Sequence, residues 1–78
     1  MDARRLARIR WRCRRGLLEN DLILTRFLDA KGPTLTEEQV AMLDTLLALT
    51  DNELWDLIAG RSEPDASVRP IVDELRAA

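Results

Sequence analysis

The chain has 78 residues, of which 46% are hydrophobic and 33% are charged, a balance typical of a folded globular domain rather than a disordered segment. This length permits one domain, expected over residues 1–78, whose core is too thin for a deep substrate cavity and a cofactor domain. One cysteine and no histidine exclude an internal disulfide and argue against a zinc or iron site and a Ser-His or Cys-His nucleophile pair.

Charge is distributed unevenly around the net value of −2. The N-terminal segment has Asp2 as its acidic residue and is crowded with arginines, namely Arg4, Arg5, Arg8, Arg10, Arg12, Arg14 and Arg15. After Gly16, acidic residues outnumber basic ones. We therefore expect a bipolar surface, with a basic first helix on an acidic body. No apolar run approaches the roughly 20 residues that cross a bilayer, so we expect a soluble chain without membrane insertion.

Helix-forming residues dominate and period-2 alternation is scarce, which predicts an all-α fold, a compact bundle of five short helices. The first helix is expected over about residues 3–14, with an apolar stripe formed by Leu6, Ile9 and Cys13. The second is expected over about residues 17–30, and its predicted core residues are Leu22, Ile23, Phe27 and Leu28. Gly32, between a lysine and a proline, is predicted to end this helix as a left-handed cap.

The third helix has the clearest start, because Thr36 is placed to cap it and Gln39 can complete a capping box. Thr50 or Asp51 is expected to cap a fourth helix, which ends at Gly60. A fifth helix should begin near residue 67, since a proline at position 70 is tolerated only in the first turn. The expected buried residues of these helices are Val40, Leu43, Leu46, Leu47, Leu54, Leu57, Ile58, Val68, Ile71, Val72 and Leu75.

Gly16 stands out in the helical pattern, because glycine inside a helix lowers helix stability by about 1 kcal/mol relative to alanine. One interpretation is that Gly16 is the residue following the cap of the first helix, with neighbouring arginines placed against the negative helix end. The other is that its missing side chain lets the backbone of another protein approach closely. The two interpretations are compatible.

Trp11 is predicted to project away from the core. At about 100° per residue, Arg8, Trp11 and Arg15 fall together opposite the apolar stripe. Glu19 joins them if the helical path continues past Gly16. Because tryptophan and arginine are common anchors of protein interfaces, this face is predicted to bind a partner. The alternative is that Trp11 folds over onto another helix.

These residues carry a family resemblance. The pattern Arg8-Ile9-x-Trp11-x-Cys13-Arg14-Arg15-Gly16-Leu17-x-Glu19-x-Asp21 resembles the signature of the succinate dehydrogenase flavinylation factors, the bacterial SdhE proteins and mitochondrial succinate dehydrogenase assembly factor 2. The resemblance continues through Phe27, Leu35-Thr36-Glu37-Glu38, Leu46-Leu47 and Asp51-x-x-Leu54. It fades after Gly60. Two positions depart from the family, which often has aromatic residues at Leu43 and Leu57.

The resemblance implies a five-helix, non-catalytic assembly factor. Such a factor binds the flavoprotein subunit of succinate dehydrogenase, with that of fumarate reductase as a second client, and promotes covalent attachment of FAD to a histidine of the client. It implies no stably bound cofactor, and a location in the bacterial cytoplasm or, in a eukaryote, the mitochondrial matrix. The expected partner-binding residues are Arg8, Trp11, Arg14, Arg15, Gly16 and Glu19.

Two rival functions belong to other classes. The arginine-rich first helix suits a nucleic-acid binder, which would show a steep fall of affinity with salt. The acidic remainder argues against it, because it would repel phosphates. A helical adaptor or antitoxin-like module is the other rival, and it predicts a stable complex with another protein and no change in flavin content.

Overall fold

The computed structural model describes residues 2–14 and 16–78, and within them the fold is all-α, as predicted. The elements in chain order are α1 (Ala3–Arg12), α2 (Leu18–Lys31), a 3-10 turn (Gly32–Thr34), α3 (Glu37–Leu47), α4 (Asp51–Ile58) and α5 (Arg69–Ala77). The five predicted helices are confirmed. The structure ends α1 two residues earlier than the sequence predicts, so α1 carries Trp11 but does not extend to Gly16 or Glu19.

All five helices contribute to one hydrophobic core. Its fully buried centre combines the middle of α2 with side chains from the other helices, including Leu24, Phe27, Leu43, Leu54, Ile71 and Leu75. Cys13 is buried, as expected from its place on the apolar stripe. Leu43, one of the two positions that depart from the family resemblance, is 0% exposed, and Leu57, the other, packs against the core edge. Both departures from the family therefore affect packing.

The core face of α2 contains the predicted Phe27 and Leu28, and Ile23 packs against it, but the prediction is wrong at Leu22. Leu22 was expected in the core, but it is 48% exposed, whereas Leu24 is fully buried. The buried stripe runs through Asn20, Leu24, Phe27 and Leu28, at i, i+4, i+7 and i+8, which is the spacing of one helix face. A polar residue, Asn20, occupies the first position of this stripe, which hydrophobicity alone does not predict.

Two glycines end helices for different reasons. Gly60 has φ 81° and follows α4, as expected for a left-handed cap. The predicted left-handed cap at Gly32 is wrong, because φ −49° and ψ −53° are right-handed values. Gly32 is buried, and a Cβ there would lie 2.9 Å from Leu6 Cδ1. Gly32 therefore provides space for α1 to pack closely.

Capping boxes fix the starts of α3 and α4. Thr36 and Gln39 form the predicted box, with bonds of 3.2 and 2.9 Å. Thr50, rather than Asp51, caps α4, and its hydroxyl accepts from the Glu53 N–H at 3.2 Å. The Glu53 carboxylate accepts from the Thr50 N–H at 3.0 Å. Asp51 is thereby the first residue of α4.

The α4 capping box should make stability depend on pH. Hydrogen bonds from the Thr50 backbone and side chain lower the pKa of Glu53, so its contribution is present above the unfolded-state pKa and is lost as pH falls through the lower folded-state pKa. Glu53→Gln keeps an acceptor but does not titrate. We expect the stability difference between the native chain and this variant to shrink from neutral pH to about pH 3 in urea unfolding. A constant difference would contradict the assignment.

Candidate functional site

The outer face of α1 presents Trp11 to solvent. The indole is 70% exposed, while Ile9 and Cys13 on the opposite face are each 4% exposed. This excludes the alternative that Trp11 folds over onto another helix. The guanidinium carbon of Arg14 lies 5.3 Å from the centre of the indole ring, within the range of a cation–π contact. Arg14 therefore helps to hold the ring outward in one orientation.

Three arginines of α1 join it to the acidic body. They form ion pairs of 2.6–2.8 Å, namely Arg5–Glu37, Arg10–Asp29 and Arg12–Asp44. The pair with Glu37 raises the pKa of Arg5 through a hydrogen bond and charge attraction. All three pairs are solvent-accessible, so each contributes little to stability. Their effect is to anchor one side of the basic helix on the acidic body, as the charge distribution predicted.

The remaining positive charge lies on the Trp11 face. Arg4 and Arg8 are exposed and form no ion pair with the residues that the structure describes. Together with Trp11 they line a shallow depression on α1. An exposed aromatic ring beside unpaired guanidinium groups suits a partner that offers an apolar contact and carboxylate or carbonyl oxygens.

The helical path does not continue through the motif. α1 ends at Arg12 with Cys13 as its cap, and Leu17 is extended, with φ −103° and ψ 115°. Glu19 belongs to the exposed first turn of α2. The condition under which Glu19 would join the Trp11 face, a helical path that continues past Gly16, is therefore not met. Arg15, which the sequence places on the same face as Arg8 and Trp11, lies outside the described residues.

Gly16 does not have the conformation that the capping interpretation required. The residue that follows the α1 cap is Arg14, and Gly60 is the glycine with positive φ in the described part of the chain. Gly16 is exposed, and a Cβ on it would lie 3.5 Å from Asp51 Oδ2, an ordinary contact. The internal packing therefore tolerates a Cβ here and does not itself require a glycine.

Asp51 and Asn20 are residues of this site that the sequence analysis missed. The Gly16 N–H donates to Asp51 Oδ2 at 3.2 Å. The side-chain amide of Asn20, which is fully buried, donates to the Asp51 carbonyl at 3.0 Å. Asp51 appeared in the sequence only as part of the α4 start and of an acidic face. The unusual signal was the asparagine at a helix position that alignment with Leu24 and Phe27 places in the core.

A groove between α1 and α2 extends the exposed face. It encloses about 500 Å³, with Trp11 and Arg14 on one wall, Asp21 and Thr25 on the other, and Leu28 among its lining residues. Leu18 and Leu22 are 65% and 48% exposed and share a face of α2 with Thr25 at i, i+4 and i+7. With Trp11, these two leucines are the large hydrophobic residues exposed in the described part of the chain.

This concentration of exposed apolar side chains on the two helices that flank Gly16 is typical of a protein interface. Within residues 2–14 and 16–78, no group of three or more Asp, Glu or Cys side chains could hold a metal ion. No helix in the same residues is long and apolar enough to cross a membrane.

Comparison with known proteins agrees with the resemblance. Residues 7–78 match the family model described as flavinator of succinate dehydrogenase. The FAD assembly factor SdhE of Ralstonia nicotianae is 46% identical over 97% of this chain and 85% of its own length. That of Legionella pneumophila strain Lens is 40% identical over 97% and 96%, and that of Shewanella oneidensis is 34% identical over 97% and 94%. No solved structure matches significantly. The match over nearly the whole sequence shows that this chain belongs to the family of succinate dehydrogenase flavinators.

Proposed function

We propose that this chain binds the flavoprotein subunit of succinate dehydrogenase and promotes covalent attachment of FAD to that subunit, without itself catalysing the attachment. The proposal rests on the exposed Trp11, which is flanked by unpaired arginines and lies near Gly16 in the sequence. The internal packing of the chain does not require a glycine at position 16. Family membership supplies the client.

The proposed client-binding surface consists of Arg8, Trp11, Arg14, Arg15, Gly16 and Glu19. Trp11 provides the apolar anchor, and the arginines meet carboxylates or carbonyls of the client. Gly16 allows the client backbone to approach between α1 and α2. Glu19, exposed on the first turn of α2, receives an arginine or another basic group of the client. Arg15 is included from the sequence pattern alone.

Leu18 and Leu22 extend this surface onto α2. Both are exposed and share a face of α2 with Thr25, which lines the groove, so they can cover apolar client surface around the Trp11 anchor. Such surrounding contacts exclude water from the centre of an interface and individually contribute little. We therefore assign the main binding energy to Trp11 and the arginines.

The proposed mechanism is a shift in the population of client conformations. This chain contains no histidine, and FAD and its acceptor histidine belong to the client. A factor that prefers one arrangement of the client's domains raises the population of that arrangement. A preference of about 3 kcal/mol raises a rare arrangement more than a hundredfold. The surface described above need only recognise the attachment-competent arrangement.

The decisive experiment measures covalent flavin on the purified flavoprotein subunit by in-gel fluorescence after denaturation, with and without this chain. We expect the native chain to raise the signal and Gly16→Arg to abolish the increase, because the arginine side chain would occupy the space for the client backbone. Gly16→Ala should retain part of it. Circular dichroism should show that all three chains are folded, since Gly16 is exposed.

Glu19→Ala should also reduce the flavin signal. Its matched control is Glu38→Ala, because Glu38 likewise lies exposed in the first turn of a helix, α3, so both changes remove a similar interaction with the helix dipole. Full activity of Gly16→Arg or Glu19→Ala would contradict the proposed surface. The same assay with the flavoprotein of fumarate reductase tests it as a second client.

A further inference from the structure

Gly16, in the connection between α1 and α2, and Asn20, in the first turn of α2, are tied to the start of α4 through two polar groups of one residue, Asp51. The carboxylate of Asp51 accepts the Gly16 N–H at 3.2 Å, and its carbonyl accepts the Asn20 amide at 3.0 Å. Gly16 and Asn20 are 35 and 31 residues away in sequence. The two bonds thus join the last part of this connection and the first turn of α2 to a distant helix.

The position of Asp51 is fixed by the start of α4. Asp51 is the first residue of α4, directly after Thr50, whose capping box with Glu53 defines the helix start. Asn20 is 0% exposed, and its side-chain NH2 group would be costly to bury without a hydrogen-bond acceptor. Its bond to Asp51 therefore favours one placement of α2 relative to α4. Gly16 then receives its acceptor from a residue that is itself held in place.

We propose that Asp51 is a positioning residue for client binding, which acts by fixing the backbone of Gly16 between Trp11 and Glu19. This inference rests on the proposed function. A surface assembled from two helices and their connection binds best when its parts are held in the bound arrangement beforehand. If loss of the acceptor leaves the connection in that arrangement for about a tenth of the time, the apparent affinity falls about tenfold.

Three substitutions separate the position of the acceptor from the charge at residue 51. Asp51→Asn removes the charge but keeps an oxygen at the same distance from the backbone. Asp51→Glu keeps the charge, which suits a helix N-terminus, but places the carboxylate one methylene further out. Asp51→Ser suits the first turn but is too short to reach Gly16. Because the Glu variant retains the negative charge at residue 51 and the Ser variant removes it, a binding defect shared by both would not come from the charge.

The measurement is the dissociation constant for the purified flavoprotein subunit, corrected for the folded fraction from circular dichroism. We expect Asp51→Asn to bind within about twofold of the native chain, and Asp51→Glu and Asp51→Ser to bind about tenfold more weakly. Hydrogen exchange of the Gly16 amide in the free chain should accelerate in the Glu and Ser variants but not in the Asn variant. This second signal reports the hydrogen bond without any client.

Native affinity in both the Glu and Ser variants would overturn the positioning role, and so would a defect in Asn with none in Glu, because charge would then be the relevant property. Unchanged Gly16 exchange in all variants would overturn it too, by showing that the bond does not hold the connection. Failure of the native chain to bind the flavoprotein would instead overturn the proposed function, together with the inference that rests on it.

Discussion

Trp11→Ala is expected to weaken binding of the flavoprotein subunit about 30-fold or more while leaving the stability of this chain unchanged within about 0.5 kcal/mol. A tryptophan anchor at the centre of an interface typically contributes 2 kcal/mol or more, which corresponds to that change in affinity. The indole is 70% exposed and lies opposite the core residues of α1, so its removal leaves no cavity. Isothermal titration calorimetry gives the affinity, and urea unfolding gives the stability.

Trp55→Ala is the matched control, since the chain contains two tryptophans. Trp55 is half-buried and packs against the core. Its loss should cost about 1–3 kcal/mol of stability and leave the affinity of the folded molecules unchanged. The two variants should therefore show opposite patterns. If Trp11→Ala bound the flavoprotein subunit with native affinity, Trp11 would not be an anchor and the proposed interface would be contradicted.

The features that sequence reasoning predicted correctly have local physical causes. The five helices follow from helix-forming composition and periodicity. The start of α3 follows from the Thr36–Gln39 capping box, and the end of α4 from a left-handed glycine, Gly60. Trp11 was correctly placed outside because Ile9 and Cys13 define the opposite face of a short helix. Each of these predictions needs only residues within about two helical turns.

The features that sequence reasoning missed depend on contacts between distant residues. Gly32 adopts ordinary right-handed angles, and the nearest atom that a Cβ there would meet belongs to Leu6, on another helix. The bonds of Asp51 to Gly16 and Asn20 cross more than 30 residues. No periodicity within one segment contains this information. The candidate site was therefore located by its motif, whereas the residue proposed to position it became visible only in three dimensions.

The break between α1 and α2 changes how the motif is understood. On one continuous helix, Glu19 would have stood on the same face as Trp11. The structure instead ends α1 at Arg12 and begins α2 at Leu18, so Trp11 and Glu19 are carried by different helices, with Gly16 in the connection between them. A surface divided in this way depends on how the two helices are held together. The hydrogen bonds of Gly16 and Asn20 to Asp51 of α4 are contacts that hold these parts of the chain together.

Leu24→Ala should be among the most destabilising substitutions in this chain, at about 2–5 kcal/mol, because Leu24 is 0% exposed in the centre of the core and its truncation leaves a cavity. For a chain of 78 residues, the total stability expected is roughly 4–12 kcal/mol. The variant should thus lose a large fraction of its stability and melt at least about 10 °C below the native chain. Thermal unfolding followed by circular dichroism measures the change.

Leu22→Ala, two positions away on the same helix, is the matched control because it removes the same atoms from an exposed site. Its side chain is 48% exposed, so we expect a stability change within about 0.5 kcal/mol. Since Leu22 borders the proposed interface, client affinity should fall by up to about fivefold, a change of about 1 kcal/mol. A larger loss of stability in Leu22→Ala than in Leu24→Ala would support the core face expected from the sequence and contradict the orientation of α2 in the structure. We instead expect Leu24→Ala to lose more stability than Leu22→Ala. Among folded molecules, we expect only Leu22→Ala to bind the client more weakly. This result would assign Leu24 to the core and Leu22 to the client-binding surface.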